Sequence, residues 1–320
     1  MLHDLGPQLV TVFGGSGFIG RYVVRRLARA GHRVRVAVRR PNEGLFLKPF
    51  GAVGQIDLIQ ANVRDDASVA RAVAGADAVV NLVGILYEGG RQTFDAVQAE
   101  GAGRIARAAA AAGVARLVHV SALGAAADSP SDYARAKAEG EAEVLAAFPK
   151  ATILRPSVVF GAEDDFFNRF GRMARMAPAL PLIGGGQTRF QPVFVDDVAA
   201  AIFNALDRDD AQGRIYELGG PKVYSFEDIM HLVLETTCRR RPLVPVPFFV
   251  ARLLGSILGL LPFPPLTRDQ VVLLERDNVV GAGAPGLGDL GVAPTPAEAV
   301  LESYLSRYRR GGTKVAARFS

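Results

Sequence analysis

Tryptophan is absent from this chain, and cysteine occurs once, at Cys238. A single thiol excludes an internal disulfide framework and suits a reducing compartment, where one buried cysteine behaves as an inert small hydrophobe. Histidine is nearly as scarce. The four residues, His3, His32, His119 and His231, show no metal-binding spacing, so no metal is expected, and His119, inside an apolar run, reads as a satisfied core residue. Low-complexity blocks are missing too. No apolar run is long enough to span a bilayer: the best, Leu243 to Leu266, is broken by five prolines, at 245, 247, 262, 264 and 265. The net charge of +5 and pI near 9.5 are modest for 320 residues. The arginines fall in small clusters without aromatic interleaving, which sets nucleic acid aside but suits phosphates or anionic lipid.

What is present is an ordinary folded composition, 49% hydrophobic and 22% charged. Val10-Thr11-Val12-Phe13 is a short apolar run ending at glycine, followed by a helical pattern through Val23, Val24 and Leu27 to Gly31. Further strands are expected at 34–38, 56–60, 78–82, 117–120 and 152–154, with helices over 94–112 and 131–148 between them. Apolar runs of this length alternating with helices mark a parallel sheet covered on both faces, a doubly wound α/β architecture. The alternation fades beyond Gly161. The expected organisation is a dinucleotide-binding domain over 1–160, which 188–210 rejoins, a smaller irregular C-terminal lobe over 161–310, and a basic tail over 311–320. The first strand begins too near Met1 for a signal or transit peptide, so the chain is expected to stay where it is made unless a presequence is missing.

Gly14-Gly15-Ser16-Gly17-Phe18-Ile19-Gly20 lies between the first strand and first helix. Glycines at 14, 17 and 20 let the backbone turn tightly and meet a pyrophosphate at free helix-terminal amides. About twenty residues on, where NAD readers place an acid against the ribose hydroxyl, the second strand ends in Arg39-Arg40; guanidinium groups bind a phosphate there, which favours NADP(H). Asn62-Val63 and Leu82-Val83-Gly84 end the third and fourth strands, at the edge where adenine and ribose would lie. Tyr133 and Lys137 are one helical turn apart. The ammonium there favours phenolate and can hold the ribose, while the phenol exchanges a proton near a carbonyl.

With these residues in order, 9–235 resembles the extended short-chain dehydrogenase/reductases, which have a Rossmann-type fold. Asn81-Leu82-Val83-Gly84, Arg155-Pro156-Ser157-Val158-Val159-Phe160-Gly161 and Val195-Asp196-Asp197-Val198 add to the resemblance. It implies that Phe18, Ile19, Ser121 and Pro156 also line the cofactor. Active members carry Ser or Thr near 123; this chain has Leu123, with Ser121 the nearest hydroxyl. Losing one preorganised donor costs about a hundredfold to a thousandfold in rate. Val118-His119-Val120-Ser121, Lys137 to Glu141, Phe160 to Asp164, Gln191-Pro192-Val193, Pro262-Phe263 and Thr267-Arg268-Asp269 are similar to an atypical branch, the NADPH-binding accessory subunits of respiratory complex I. That resemblance implies a tightly bound structural NADPH, complex I subunits as partners, and, with the Ala- and Arg-rich composition, a bacterial relative peripheral to the cytoplasmic side of the inner membrane. A complex I assembly factor is included in this reading.

Two other functions stay open. One is an active NADP-dependent reductase or epimerase on a carbonyl or sugar, with Tyr133 as acid/base and Ser121 as substitute donor; the other is an NADPH-sensing binding protein. The apolar stretch 243–266 allows a helix over 247–261, expected either in the core of the second lobe or against a membrane surface or partner.

Overall fold

The computed structural model describes residues 7–261 and 264–310. The tail 311–320, His3 and the Pro262-Phe263 pair lie outside the described residues. In chain order the strands and helices are β1 (Leu9–Phe13), α1 (Phe18–Arg29), β2 (Arg33–Val38), β3 (Ile56–Gln60), α2 (Asp66–Val73), β4 (Ala78–Asn81), α3 (Glu100–Ala111), β5 (Arg116–Val120), α4 (Asp132–Ala147) and β6 (Thr152–Pro156). There follow β7 (Val159–Phe160), α5 (Phe166–Met176), β8 (Leu180–Ile183), β9 (Arg189–Phe190), β10 (Val193–Phe194), α6 (Val195–Asp207), β11 (Ile215–Leu218), β12 (Tyr224–Ser225), α7 (Phe226–Thr236), β13 (Leu243–Val246), α8 (Phe248–Leu258), α9 (Arg268–Leu273) and α10 (Ala297–Leu305).

The chain divides into two compact units, the first holding everything described up to Pro156 with Asp196–Leu218 and Ala282–Ala293. Its seven strands form one parallel sheet in the order β11-β6-β5-β4-β1-β2-β3. The order reverses between β1 and β4, so the ends of these two strands open a crevice at the carboxyl edge. The apolar runs explain the burial. Phe13, Val79, Leu117 and Ile153 of the strands meet Ile105, Ala106 and Ala109 of α3 and Val144 of α4 in one cluster. Local chemistry sets the helix starts: Asp65 accepts from the Ser68 amide at 2.7 Å and Ser131 from the Ala134 amide at 3.2 Å, capping α2 and α4. The Arg155 guanidinium on β6 grips both Glu141 carboxylate oxygens, at 2.9 and 2.6 Å, and fastens α4 to the sheet.

The second unit, made of Ser157–Val195, Gly219–Gly281 and the residues from Pro294 on, has three two-stranded pieces, β7 with β10, β9 with β12, and β8 with β13. Its core is aromatic, with Phe160, Phe167, Phe190 and Phe226 buried together. A buried polar set ties in α10: the Tyr304 hydroxyl donates to Asp164 Oδ2 at 2.5 Å, and Asn168 Nδ2 donates to the Asp164 carbonyl at 2.9 Å. Burial raises the Asp164 carboxyl above its usual range, against the pull of Tyr304 and three backbone amides.

Several details depart from expectation. The helix expected over 94–112 begins with a wider, π-type turn at Asp95–Ala99 before α3. The helix expected to reach Leu261 stops at Leu258. Cys238 is not a buried hydrophobe. It is exposed with φ of 52°, the left-handed residue closing α7: its amide bonds to the Glu235 carbonyl and the Arg239 amide reaches back to Leu234. This turn normally takes glycine, and its geometry pushes the thiol outward.

Candidate functional site

The loop after β1 is shaped by contacts that tolerate no side chain. Gly14 has φ of 77°, its amide bonds to the Ala37 carbonyl at 3.1 Å, and a Cβ on it would stand 3.3 Å from the Leu82 backbone. A Cβ on Gly20 would fall 2.4 Å from the Gly14 carbonyl oxygen, which real contacts never allow, so only glycine lets α1 start against the loop. Gly17 caps α1 without a side chain, and no acid occupies the first turn. The amides of Phe18, Ile19 and Gly20 are thus orphan donors at the positive end of the helix, a ready seat for an anion.

Around this cradle the strand ends carry the other expected residues. Arg39 and Arg40 follow β2, both exposed; Arg39 donates to the Gln92 amide oxygen, and Arg40 pairs with Glu43 at 2.9 Å. Asn62 turns inward on its own loop, its side-chain oxygen accepting from the Arg64 amide at 3.1 Å, while a Cβ on Gly101 would come 3.1 Å from a Val63 methyl. Leu82 and Val83 continue β4: the Leu82 amide bonds to the Phe13 carbonyl at 3.0 Å and the Val83 amide to Asn81 Oδ1 at 3.0 Å. The pairing of β5 with β6 continues beyond Val120, with the Ser121 amide on the Leu154 carbonyl at 2.8 Å and the Leu123 amide on Pro156 at 3.0 Å.

Tyr133 and Lys137 rise from α4 beside this edge. The Tyr133 ring stacks edge-on against Phe94, centroids 5.7 Å apart, and Lys137 Nζ lies 5.9 Å from its centroid while donating to the Val120 carbonyl at 3.3 Å. Burial pulls the Lys137 ammonium down to about 8, with the Glu141 carboxylate opposing. The Cβ that Gly84 lacks would sit 3.5 Å from Lys137 Nζ and 3.4 Å from Gln98 Oε1, so the end of β4 meets α4 and the Asp95–Ala99 turn at one point. Gly14 and Leu82 are thus in contact, and Gly84 with Lys137. The paired Arg39 and Arg40 stand at the end of another strand, β2.

The model of the NAD dependent epimerase/dehydratase family matches residues 10–219. The chain belongs to that family. It is 39% identical over 304 residues to the mouse (Mus musculus) protein "NADH dehydrogenase [ubiquinone] 1 alpha subcomplex subunit 9, mitochondrial", covering 94% of this chain and 80% of that one. It is 36% identical over 316 residues to the protein of the same name from Arabidopsis thaliana, covering 95% and 79%. Among solved structures, the epimerase Mth375 of Methanothermobacter thermautotrophicus superposes with a TM-score of 0.75 at 17% identity, covering 99% of this chain and 96% of that one, and shows the same fold.

Members of the epimerase/dehydratase family bind an NAD-type dinucleotide, and the residues present fit one. Besides the glycine cradle and the uncapped α1 amides, three buried side chains near Lys137 keep polar atoms without a partner: both amide atoms of Gln98, His119 Nε2 and Ser121 Oγ. His119 is only half satisfied, which corrects the expectation of a satisfied core residue. Asn81 Oδ1 is held by the Val83 amide, so Nδ2 donates to His119 Nδ1 at 3.0 Å; the neutral ring then carries its proton on Nε2. Burial and the Lys137 charge push His119 down to about 3, so it stays neutral at ordinary pH. Gln98 was not legible in the sequence, because nothing local distinguishes it within an alanine-rich helix. Leu123 is buried and brings no hydrogen-bonding group to this edge. A cleft of about 640 Å³ beside Phe94 is lined by Glu88, Asp95, Asp132, Glu139 and one arginine, a charge pattern that repels phosphate.

Proposed function

We propose that the chain holds NADPH as a fixed part of its fold and serves as a non-catalytic accessory subunit, or assembly factor, of a respiratory NADH:ubiquinone oxidoreductase, peripheral to the cytoplasmic face of a bacterial inner membrane. Leu123 carries the non-catalytic half of the reading: the edge keeps Tyr133, Lys137 and the phosphate cradle but has a buried apolar side chain where active relatives need a hydroxyl. Similarity over nearly the whole chain to the mouse and Arabidopsis proteins, whose names place them in such an enzyme, supports the other half. When bound, the nucleotide would supply hydride chemistry. The residues that would hold it are Gly14, Gly17 and the amides of Phe18, Ile19 and Gly20 at the pyrophosphate, Arg39 and Arg40 at the ribose phosphate, and Tyr133 and Lys137 at the nicotinamide ribose. Glu43 must release Arg40 for that role, an inexpensive step for so exposed a pair.

One feature favours catalysis instead: the buried Ser121 hydroxyl has no partner and could replace the missing donor. A single preparation separates the two readings. Chain purified from native membranes and denatured should release NADPH at near one mole per mole, travel with the oxidoreductase, and consume no added NADPH with carbonyl, sugar-nucleotide or quinone substrates. Steady turnover that Ser121→Ala abolishes would establish the reductase and overturn the accessory role.

A further inference from the structure

The second unit leaves one helix undressed. In α8 only Ala251 and Gly255 are buried; Phe249 is 74% exposed, Leu253 64% and Ile257 58%, and Leu260 just beyond reaches 86%. At about 100° per residue, Phe249, Leu253 and Ile257 share the side opposite Ala251 and Gly255, with Leu254, 43% exposed, at its margin. The buried side is firmly held: a Cβ on Gly255 would come 2.9 Å from the Thr267 and Arg268 backbone at the start of α9, and the Arg252 guanidinium binds both oxygens of Glu275, Nε to Oε1 at 2.6 Å. The apolar side is therefore presented outward by a fixed helix, and contiguous patches of this kind mark interaction surfaces.

We propose that α8 and its arginine-rich flanks lie flat in the interfacial layer of an anionic lipid bilayer, with Phe249, Leu253, Ile257 and Leu260 below the headgroups. Charge argues for lipid as the occupant. Between 239 and 276 six arginines, Arg239, Arg240, Arg241, Arg252, Arg268 and Arg276, face only two carboxylates, Asp269 and Glu275, and Arg252 takes Glu275. Arg169 adds to the surplus, its Nη1 reaching the Pro265 carbonyl at 2.9 Å. Burial first, then the neighbouring charges of Arg241, Arg310 and Arg175, hold Arg239 below the usual guanidinium range. Exposed apolar side chains flanked along the chain by a surplus of guanidinium groups match hydrocarbon beneath anionic headgroups. Among the described residues no helix is long and apolar enough to cross a membrane, so the contact is with one leaflet.

The surface is independent of the nucleotide, which the first unit would hold, and the test needs neither nucleotide nor activity. Full-length chain is floated with vesicles of phosphatidylcholine alone or with about a third phosphatidylglycerol. The wild type should float with the anionic vesicles and release as salt rises. Phe249→Glu/Leu253→Glu/Ile257→Glu, at exposed positions that should not disturb folding, should weaken binding about 100-fold or more. Arg240→Glu/Arg268→Glu/Arg276→Glu should cost about tenfold or more and abolish the preference for anionic lipid. Unchanged circular dichroism and thermal midpoint in both variants keep the reading about the surface. Wild type that stays in the soluble fraction overturns the proposal, as does a triple-glutamate α8 variant that floats like wild type. Lipid-free binding to the oxidoreductase that requires Leu253 and Ile257, with no flotation, would make α8 a protein contact and overturn it too.

Discussion

Lys137 is a charge that the fold resists. Its ammonium is buried and titrates near 8 rather than 10.5. Between those values the unfolded chain keeps a proton that the folded chain has shed, so stability attributable to this group rises with pH through that window. Below pH 8 both states hold the proton and the full burial cost applies. Lys137→Met should therefore stabilise nucleotide-free protein at pH 7 by up to about 3 kcal/mol, seen as a higher urea midpoint, with the gain shrinking toward pH 10. It should also weaken nucleotide binding at pH 7. Denaturation curves at the two pH values check this, and a midpoint lowered at both would show that the ammonium is a net structural asset. The residues around it divide by how local their logic is. Tyr133 and Lys137 are visible in sequence because one helical turn pairs them. The Asn81–His119 bond and the orphan amide of Gln98 are not, because three separate segments must fold together before those atoms have neighbours.

At the scale of elements, the close approach of α4 to the Asp95–Ala99 turn depends on one missing methyl. A Cβ on Gly140 would lie 2.2 Å from the Gln98 carbonyl oxygen, a backbone atom that cannot swing aside. Gly140→Ala should force the two apart, cost about 1–3 kcal/mol, and displace Lys137 from the end of β4, so nucleotide affinity should fall with stability. Gly288→Ala is the matched control, since nothing lies within 4 Å of its Cβ position; chemical denaturation of both variants should show a loss only at 140. Equal behaviour would remove the packing argument. The elements themselves were legible where their signals are local: Ser131 capping α4, the β3 run at 56–60, the glycine turn before α1. The wide turn at 95–99 was not, since it lies where Gly140, some forty residues away, admits a carbonyl. The outward set of Cys238 was missed because a left-handed helix end normally announces itself with glycine.

For the molecule as a whole, a nucleotide that never reacts can still act as a clamp. In the first unit the glycine loop follows β1, Arg39 and Arg40 follow β2, Gly84 follows β4, and Ser121 follows β5, so one ligand would join the carboxyl ends of four strands at once. A ligand that binds only the folded chain stabilises it by about 2.7 kcal/mol at a hundredfold excess over Kd. In a chain of this size that amounts to a rise in thermal midpoint of roughly 4 °C. On the proposed cofactor site, NADPH should produce this shift and NADH a clearly smaller one, because only the former would bring a ribose phosphate to the two guanidinium groups after β2, where charge-assisted contacts would contribute about 1.5–3 kcal/mol each. Arg39→Ala/Arg40→Ala should leave the free protein as stable as before, since both side chains are exposed, and should shrink the NADPH shift to that of NADH. Scanning calorimetry of both proteins with each nucleotide decides the matter: equal shifts in the wild type would remove the arginines from the cofactor site, and no shift with either would mean that the sheet edge is not clamped by a dinucleotide at all.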